Sequence, residues 1–185
     1  MTTLFDTEEL HALARSVVGL PRPESFHTLV ARLSEQYPDR INLDERWVLN
    51  SANGALGTMW ILYASLSEYL IIFGSPIGTE GHSGRYLADV YDYVFDGEMW
   101  TYLEGQTERT VFRAGDGAHL PYRSAKGYVI QPGSWMLEYA RGCIPAMLPM
   151  GVWDNLFSNL DLRSLAWTFW DYGRLTAREL LRGKI

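Results

Sequence analysis

Three acidic residues, Asp92, Glu138 and Glu68, lie within apolar runs that predict β-strands. Because side chains alternate between the two faces of a strand, Asp92 shares its face with Val90 and Val94. The same alternation places Glu138 and Glu68 among aliphatic residues of their own strands. An ionised carboxylate costs several kcal/mol to bury without a partner, so each acid must be protonated, hydrogen-bonded or paired with a cation.

Strand alternation is compatible with two interpretations of these acids. They can be exterior residues, or structural acids that accept hydrogen bonds from backbone N–H groups. Alternatively, two of them share a pocket, in which desolvation and like charge raise the pKa of at least one carboxyl and keep a proton available near neutral pH. Alternation alone leaves both interpretations open.

The other polar motifs give little support for metal or phosphate chemistry. The four histidines, His11, His27, His82 and His119, form neither an HxH nor an HExxH pattern. A metal-dependent enzyme is therefore poorly supported, and no metal or other cofactor is predicted. The run 81–85 (GHSGR) lacks the Lys-Ser/Thr end of a phosphate-binding P-loop, so we interpret it as a structural turn.

Composition restricts the possible classes of protein. The chain has the length of one domain, 1–185, and its 47% hydrophobic and 14% aromatic residues can supply a core and line a cavity. A net charge of −6 argues against a nucleic-acid partner, because such partners require clustered Lys and Arg. No signal peptide is predicted, and polar residues interrupt the longest apolar stretch, 58–73, so no membrane-spanning helix is predicted. We expect a cytoplasmic or peripheral membrane protein.

The elements that must position the acids are predicted from the periodicity of apolar residues. We expect two helices in residues 1–44, a β-barrel in residues 45–142 and two amphipathic helices in residues 143–185. The predicted strands are 46–51, 57–64, 67–73, 86–95, 98–104, 107–113, 126–130 and 134–140. Such evenly spaced short strands favour a closed barrel. Pro149 falls inside the first C-terminal helix and is expected to kink or shorten it.

The predicted last helix has a wide apolar surface that includes Trp167 and Trp170. Residues 158–185 hold five basic and three acidic side chains, a net charge of +2, which leaves −8 for the rest of the chain. A helix of this kind can lie on a membrane surface, where Trp and basic residues favour the headgroup region, or it can cover the barrel. The sequence supports both placements.

Four sequence blocks resemble the family that contains the sigma-1 receptor and the fungal C-8 sterol isomerases. They are 64–69 (ASLSEY), 81–86 (GHSGRY), 135–139 (WMLEY) and 141–145 (RGCIP). Their order and spacing match the family across nearly the whole chain. The resemblance implies a mainly β, cupin-like barrel with flanking helices, an occluded hydrophobic pocket and assembly as a homotrimer.

The resemblance also implies roles for individual residues. Glu138 matches the family's principal acid, which faces a ligand cation. Asp92 matches its carboxyl partner, which is expected to be protonated and hydrogen-bonded to it, and Tyr69 matches the tyrosine that orients the pair. Glu68 matches a buried acid that looks structural. The pocket interpretation of Asp92 and Glu138 is therefore favoured.

Further positions match residues that line the family's pocket and are expected to contact the ligand. They are Met59, Ile71, Phe73, Val90, Leu148 and Tyr172. The sequence departs from the family at Ala55, which replaces a pocket tryptophan, and at Leu120, which replaces a pocket histidine. No counterpart of the family's N-terminal transmembrane helix is predicted.

The predicted function is isomerisation of a sterol- or terpenoid-type double bond, a C8-to-C7 shift by protonation and deprotonation. One carboxyl protonates an alkene carbon and another base removes a proton from the adjacent allylic carbon. The alternative is a non-catalytic receptor-like protein that binds hydrophobic amines or sterols with the same two acids, Asp92 and Glu138. In both cases the predicted partner is a hydrophobic small molecule.

Overall fold

The computed structural model describes residues 3–185, which begin with two helices, α1 (Thr7–Arg15) and α2 (Glu24–Gln36). The Asp6 side chain caps α1 by accepting hydrogen bonds from the backbone N–H groups of Glu8 and Glu9 at 2.9 and 3.0 Å. The predicted pair of N-terminal helices is thus confirmed.

Ten strands follow and pair in antiparallel fashion to form two sheets. They are β1 (Trp47–Ala52), β2 (Ala55–Ala64), β3 (Glu68–Ser75), β4 (Thr79–His82), β5 (Ala88–Asp96), β6 (Glu98–Leu103), β7 (Thr110–Arg113), β8 (Gly117–Leu120), β9 (Lys126–Ile130) and β10 (Ser134–Gly142). The larger sheet has the order β1-β2-β3-β10-β5-β8, and the smaller has the order β4-β9-β6-β7. The longest strands, β2, β3, β5 and β10, all lie in the larger sheet.

The larger sheet separates two apolar clusters, because most of its strands are buried on both faces. Its outer face packs against α1 and α2, and Leu10 and Leu33 of the helices belong to the same buried cluster as Tyr63 and Tyr139 of the strands. Its inner face packs against the smaller sheet. The residues of this inner cluster include Met59, Ile71, Phe73, Met99, Ile130 and Met136.

A short 3₁₀ turn, Ile144–Ala146, leads to the two C-terminal helices, α3 (Leu148–Phe157) and α4 (Leu162–Leu181). Pro149 was expected to kink or shorten the first of them. It lies in the first turn of α3 instead, where a proline removes no intrahelical hydrogen bond, so the helix runs its full length. The completely buried Glu179 anchors α4 by an ion pair with Arg40 at 2.5 Å.

The prediction of a mainly β fold with two helices at each end is confirmed, with two differences in detail. In residues 3–185 the strands form two facing sheets and their hydrogen bonds do not close into one barrel. Two strands of four residues each, β4 and β8, were not predicted from the sequence. Gly81 of β4 had been assigned to a turn, but β4 approaches β2 so closely that a Cβ at Gly81 would lie 2.8 Å from the backbone nitrogen of Ala55.

None of the helices in the described part combines the length and the apolar character that a bilayer crossing requires.

Candidate active site

Glu138 and Asp92 lie directly opposite each other on the neighbouring strands β10 and β5 of the larger sheet. Opposite residues on paired antiparallel strands have their side chains on the same face. Both point to the inner face, because Met136 and Val94, the next opposite pair on that face, belong to the inner cluster. Asp92 is only 3% exposed. The two acids selected from the sequence therefore form one pair on the inner face, with Asp92 buried and Glu138 partly exposed to the space between the sheets.

Tyr69 of β3 supplies a hydrogen bond to this pair, since its hydroxyl donates to Oε1 of Glu138. Burial and the nearby charge of Asp92 raise the pKa of Glu138 to about 7, although Tyr69 and Lys126 act in the opposite direction. Burial, and to a smaller extent the charge of Glu138, raises the pKa of Tyr69 well above its ordinary value. Glu138 is thus a carboxyl group that retains its proton in weakly acidic solution.

Asp92 has a different partner, the ammonium group of Lys126, which reaches across from β9 of the smaller sheet. Both side chains are almost completely buried, with 8% of Lys126 and 5% of Asp92 exposed. The resemblance had implied a protonated Asp92 bonded to Glu138, and Lys126 was not singled out. The strand alternation that was applied to the acids would have found it, since Lys126 shares a face with Tyr128 and Ile130.

All of the positions expected to contact a ligand lie around one cavity between the sheets, as do Glu138 and Asp92. They are Tyr69, Met59, Ile71, Phe73, Val90, Leu148 and Tyr172. Leu148 reaches the cavity from α3 and Tyr172 from α4, so the C-terminal helices form part of its wall. The hydroxyl of Tyr172 donates to the backbone oxygen of Ser65 at 2.9 Å. The lining is mainly aliphatic and aromatic, and its charged or acidic side chains include Glu138 and the buried Asp92 and Lys126.

A second group of polar residues that sequence reasoning did not select also lines this cavity, including Asn53, His82 and Tyr86. The Tyr86 hydroxyl accepts a hydrogen bond from the amide of Asn53 at 3.2 Å. Burial and the charge of Glu138 raise the pKa of Tyr86 to about 12. Two of these residues, His82 and Tyr86, belong to the block 81–86 that resembles the family. Gly84 in this block has φ +85°, and a Cβ there would lie 2.3 Å from the Tyr86 ring.

Glu68 lies on the opposite face of the larger sheet and takes no part in the cavity. Its carboxylate accepts hydrogen bonds from the backbone N–H of Leu4 at 2.9 Å and from the hydroxyl of Tyr139 at 2.6 Å. It also pairs with the ammonium group of Lys184 at 2.6 Å. These contacts join the two ends of the chain to the sheet, in keeping with a structural acid.

The two departures from the family pattern have different positions. Leu120 lies on the inner face of β8, opposite Val90, and lines the cavity. Its neighbour His119 points outward, where it stacks on Tyr91 and pairs with Asp89 at 2.9 Å. Ala55 is buried at the beginning of β2, beside the close approach of β4.

Metal coordination needs several ligating side chains that converge on one point. Within residues 3–185, no three His, Cys, Asp or Glu side chains are grouped in a way that could hold a metal ion. The chemistry that the cavity residues themselves can perform is proton transfer. A protonated Glu138 and an ionised Asp92 would provide an acid and a negative charge within a mostly apolar space.

Comparison with known proteins gives consistent matches over the whole chain. A family model described as "ERG2 and Sigma1 receptor like protein" matches residues 1–184. The C-8 sterol isomerase ERG2 of Gibberella zeae is 45% identical over 185 residues, which cover 98% of this chain and 77% of that protein. The sigma non-opioid intracellular receptor 1 of Xenopus tropicalis is 36% identical over 173 residues, 92% of this chain and 78% of that protein. The resemblance seen in the motifs is thereby confirmed.

Among solved structures, an RmlC-like cupin from Shewanella frigidimarina has a TM-score of 0.47 at 18% identity. The match covers 56% of this chain and 91% of that chain.

Proposed function

Because this chain belongs to the ERG2 and sigma-1 receptor like family, we propose that it isomerises a sterol- or terpenoid-type alkene by a C8-to-C7 double-bond shift. The observation that carries this proposal is the pair of Glu138 and Asp92, opposite each other in the lining of a mostly apolar cavity. The name of the Gibberella zeae relative, a C-8 sterol isomerase, agrees with it. The substrate class is a neutral hydrophobic molecule that contains a trisubstituted or tetrasubstituted alkene.

In the proposed reaction, Glu138 and Asp92 act jointly as acid and base. One carboxyl donates a proton to an alkene carbon, which leaves a tertiary carbocation on the neighbouring carbon. A proton then leaves the adjacent allylic carbon for a carboxylate, and its C–H electron pair forms the shifted double bond. Fixed negative charge in a cavity with little water stabilises the cation, and this is where electrostatic stabilisation is most effective.

The direct test is turnover of a Δ8 sterol by purified protein in deuterated water. Gas chromatography and mass spectrometry should detect the Δ7 isomer with one deuterium from the solvent, because the donated proton exchanges with water between turnovers. Conversion without deuterium would contradict a mechanism based on an exchangeable carboxyl proton. Absence of product over a series of sterol and terpenoid alkenes would argue against the isomerase itself.

The second candidate function is a receptor-like protein that binds hydrophobic amines or sterols without converting them. It is favoured by the 36% identity to a protein named as a sigma receptor. An ammonium group resembles the carbocation that the isomerase would stabilise, so the same acids would attract it. Tight binding of a tertiary amine together with no turnover of any alkene would favour this function over the isomerase.

We also propose that α3, α4 and the loop between them contact a membrane surface. The proposal is supported by a group of large apolar side chains that are mostly exposed, Trp153, Phe157, Leu160 and Trp170, at 64%, 67%, 72% and 60%. Aromatic residues favour the headgroup region of a bilayer. Co-sedimentation with phosphatidylcholine vesicles should fall when Trp153 and Phe157 are both replaced by serine, whereas Ile77→Ser, at a residue 82% exposed in another part of the chain, should have no effect.

The homotrimer implied by the family resemblance remains part of the proposal. Size-exclusion chromatography with light scattering should give the mass of three chains. A monomer at micromolar concentration would contradict it.

A further inference from the structure

Lys126 is a buried cation with no assigned role in the proposed reaction. It extends from β9 of the smaller sheet, with 8% of its side chain exposed, and its ammonium group pairs with Asp92 on the larger sheet. It is the counter-charge that the two opposite carboxyls would otherwise lack. The inference below concerns the same pair as the proposed function and rests on that pair facing the ligand.

The structure holds Lys126 in place through its backbone as well as its side chain. The Lys126 N–H donates to the Ser83 hydroxyl at 2.9 Å, and the Ser83 N–H donates to the Lys126 carbonyl at 2.9 Å. Ser83 follows directly after β4, in the block that resembles the family. The Lys126 ammonium group also lies 6.0 Å from the centre of the Tyr128 ring. These reciprocal contacts fix the strand end from which the side chain reaches Asp92.

We propose that Lys126 is a positioning residue that keeps Asp92 ionised, so that the single proton of the site resides on Glu138 and Glu138 is the proton donor. The reason is the charge of the two neighbouring acids. Two opposite buried carboxylates cannot both be ionised at low cost, but an ammonium group bound to one of them selects which is ionised. Since Lys126 contacts Asp92, the charges of Lys126 and Asp92 cancel and the proton stays with Glu138.

The other titratable side chains around Glu138 are phenols, carboxyls and one imidazole, His82, whose Nδ1 accepts a hydrogen bond from the Gly84 N–H at 2.9 Å. Titratable or charged side chains face it or its neighbours from every element around the cavity: Tyr69 from β3, His82 from β4, Tyr86 from the loop before β5, Asp92 from β5, Lys126 and Tyr128 from β9, Asp154 from α3 and Tyr172 from α4. Burial, and to a smaller extent the charge of Glu138, raises the pKa of Tyr128, so this phenol stays neutral at physiological pH. Among these side chains, Lys126 is the one that forms an ion pair with Asp92.

This arrangement assigns the cavity a preference for neutral ligands. With the proton on Glu138 the site has no net charge, which suits an uncharged alkene. A cationic ligand can gain an ionic partner only if Glu138 loses its proton. Binding of a cation should therefore release a proton into solution, and its affinity should increase with pH until Glu138 is fully ionised.

Proton release can be measured by calorimetry in buffers with different ionisation enthalpies. The probe is N-benzyl-N-methylpiperidinium, a permanent cation with no proton of its own to lose. We expect the wild-type protein to release about one proton per bound cation at pH 6 and almost none at pH 8.5, because the pKa of Glu138 is about 7. No release at pH 6 in the wild type would overturn the inference without any variant being needed.

Two substitutions of Lys126 separate its charge from its bulk. In Lys126→Met the two carboxyls must share the proton and the site is already negative, so release at pH 6 should fall to less than about a fifth of a proton. Lys126→Arg keeps the charge and should keep the release near one. A purely structural role would weaken binding in Lys126→Met but leave the number of released protons unchanged, and that result would overturn the inference.

The pH dependence of turnover supplies a second readout. In the wild type, turnover should fall as the pH rises through about 7, since Glu138 then loses its proton. In Lys126→Met this decline should move to higher pH by about one unit, because the ammonium group lowers the pKa of Glu138. An unchanged decline would contradict the inference.

The two proposals can fail separately. Proton release as expected without turnover of any alkene would leave the Lys126 inference intact and remove the isomerase. Turnover with incorporation of solvent deuterium but without proton release would support the isomerase and remove the Lys126 inference.

Discussion

Two glutamates on neighbouring strands of one sheet have opposite surroundings. Glu68, at the beginning of β3, points to the outer face, where two backbone N–H groups, the Tyr139 hydroxyl and the Lys184 ammonium group contact its carboxylate. Glu138, on β10, points to the inner face, where Tyr69 is its one hydrogen-bond donor among the residues that the structure describes. Its nearest charged neighbour across the strands is another acid, Asp92.

The difference shows how one sheet can carry both a structural and a chemical acid. A carboxylate that is surrounded by donors is held in one position and has no lone pair left for a ligand. A carboxyl with a single donor, facing a cavity and a like charge, retains its proton and can transfer it. Each glutamate also has its own tyrosine, Tyr139 for Glu68 and Tyr69 for Glu138, so the two faces can be tested with matched substitutions.

The largest expected effect is on turnover. Glu138→Gln should lower kcat for a Δ8 sterol by about a thousandfold or more, because removal of a positioned acid typically costs 10²- to 10⁴-fold and here also removes the carboxylate that proton donation would leave beside the carbocation. The measurement is the initial rate of Δ7 product formation, normalised to the folded fraction seen by circular dichroism.

Glu68→Gln is the control for this substitution. It makes the same change of side chain on the other face of the same sheet and leaves an amide oxygen to accept from the Leu4 N–H. We expect its kcat per folded molecule to stay within about twofold of the wild type. Equal losses of kcat in both variants would break the distinction between the two glutamates.

The second effect is on stability. Here substitution of Glu68 should have the larger effect and substitution of Glu138 the smaller, the opposite of their effects on kcat. Glu68→Leu leaves the N–H of Leu4, the Tyr139 hydroxyl and the Lys184 ammonium group without this acceptor. Breaking a buried ion pair of this kind costs about 3–5 kcal/mol in the free energy of unfolding. Glu138→Gln should cost much less, since it removes a buried acid that has a single donor. Urea unfolding at pH 7 measures both, and an equal loss for the two would contradict the comparison.

How far the sequence could predict these two environments depends on what strand alternation can resolve. Alternation correctly predicted that Asp92, Glu138 and Glu68 each lie on an apolar face. It could not tell which face was the cavity, because the larger sheet is buried on both faces, by helices on one and by the smaller sheet on the other. The family resemblance, and not the pattern, singled out Asp92 and Glu138 as the pair.

Contacts between the two sheets could not be predicted from the sequence for a similar reason. Lys126 meets Asp92 across a distance of 34 residues, and this depends on how two separate sheets face each other. Local periodicity contains no information on that packing. The short strands β4 and β8 were missed because four residues are too few for a periodic pattern, and Gly81 is selected by close approach to β2.

The third effect is a pH dependence of stability that originates on the inner face. Burial raises the pKa of Glu138 from 4.5 to about 7, so the folded chain binds this proton more tightly than the unfolded chain does. The resulting stabilisation is fully present below pH 4.5 and is lost as the pH rises through about 7. Its size is about 3 kcal/mol.

The free energy of unfolding should accordingly decrease between pH 5 and pH 8 in the wild type, and Glu138→Gln should remove this slope. Urea titrations at several pH values, at constant ionic strength, provide the comparison. The same slope in both proteins would mean that Glu138 is not the group that carries the proton.

The smallest expected effect comes from the two tyrosines. Tyr69→Phe removes the donor that lowers the pKa of Glu138, so the pH at which turnover declines should move upward and kcat should fall by about five- to tenfold, the value of one hydrogen bond to an acid. Tyr139→Phe removes the corresponding donor from Glu68 and should lower the free energy of unfolding by about 1–2 kcal/mol without changing the pH profile of turnover. If Tyr139→Phe moved the pH profile and Tyr69→Phe did not, the inner face of the sheet would not be where the reaction takes place.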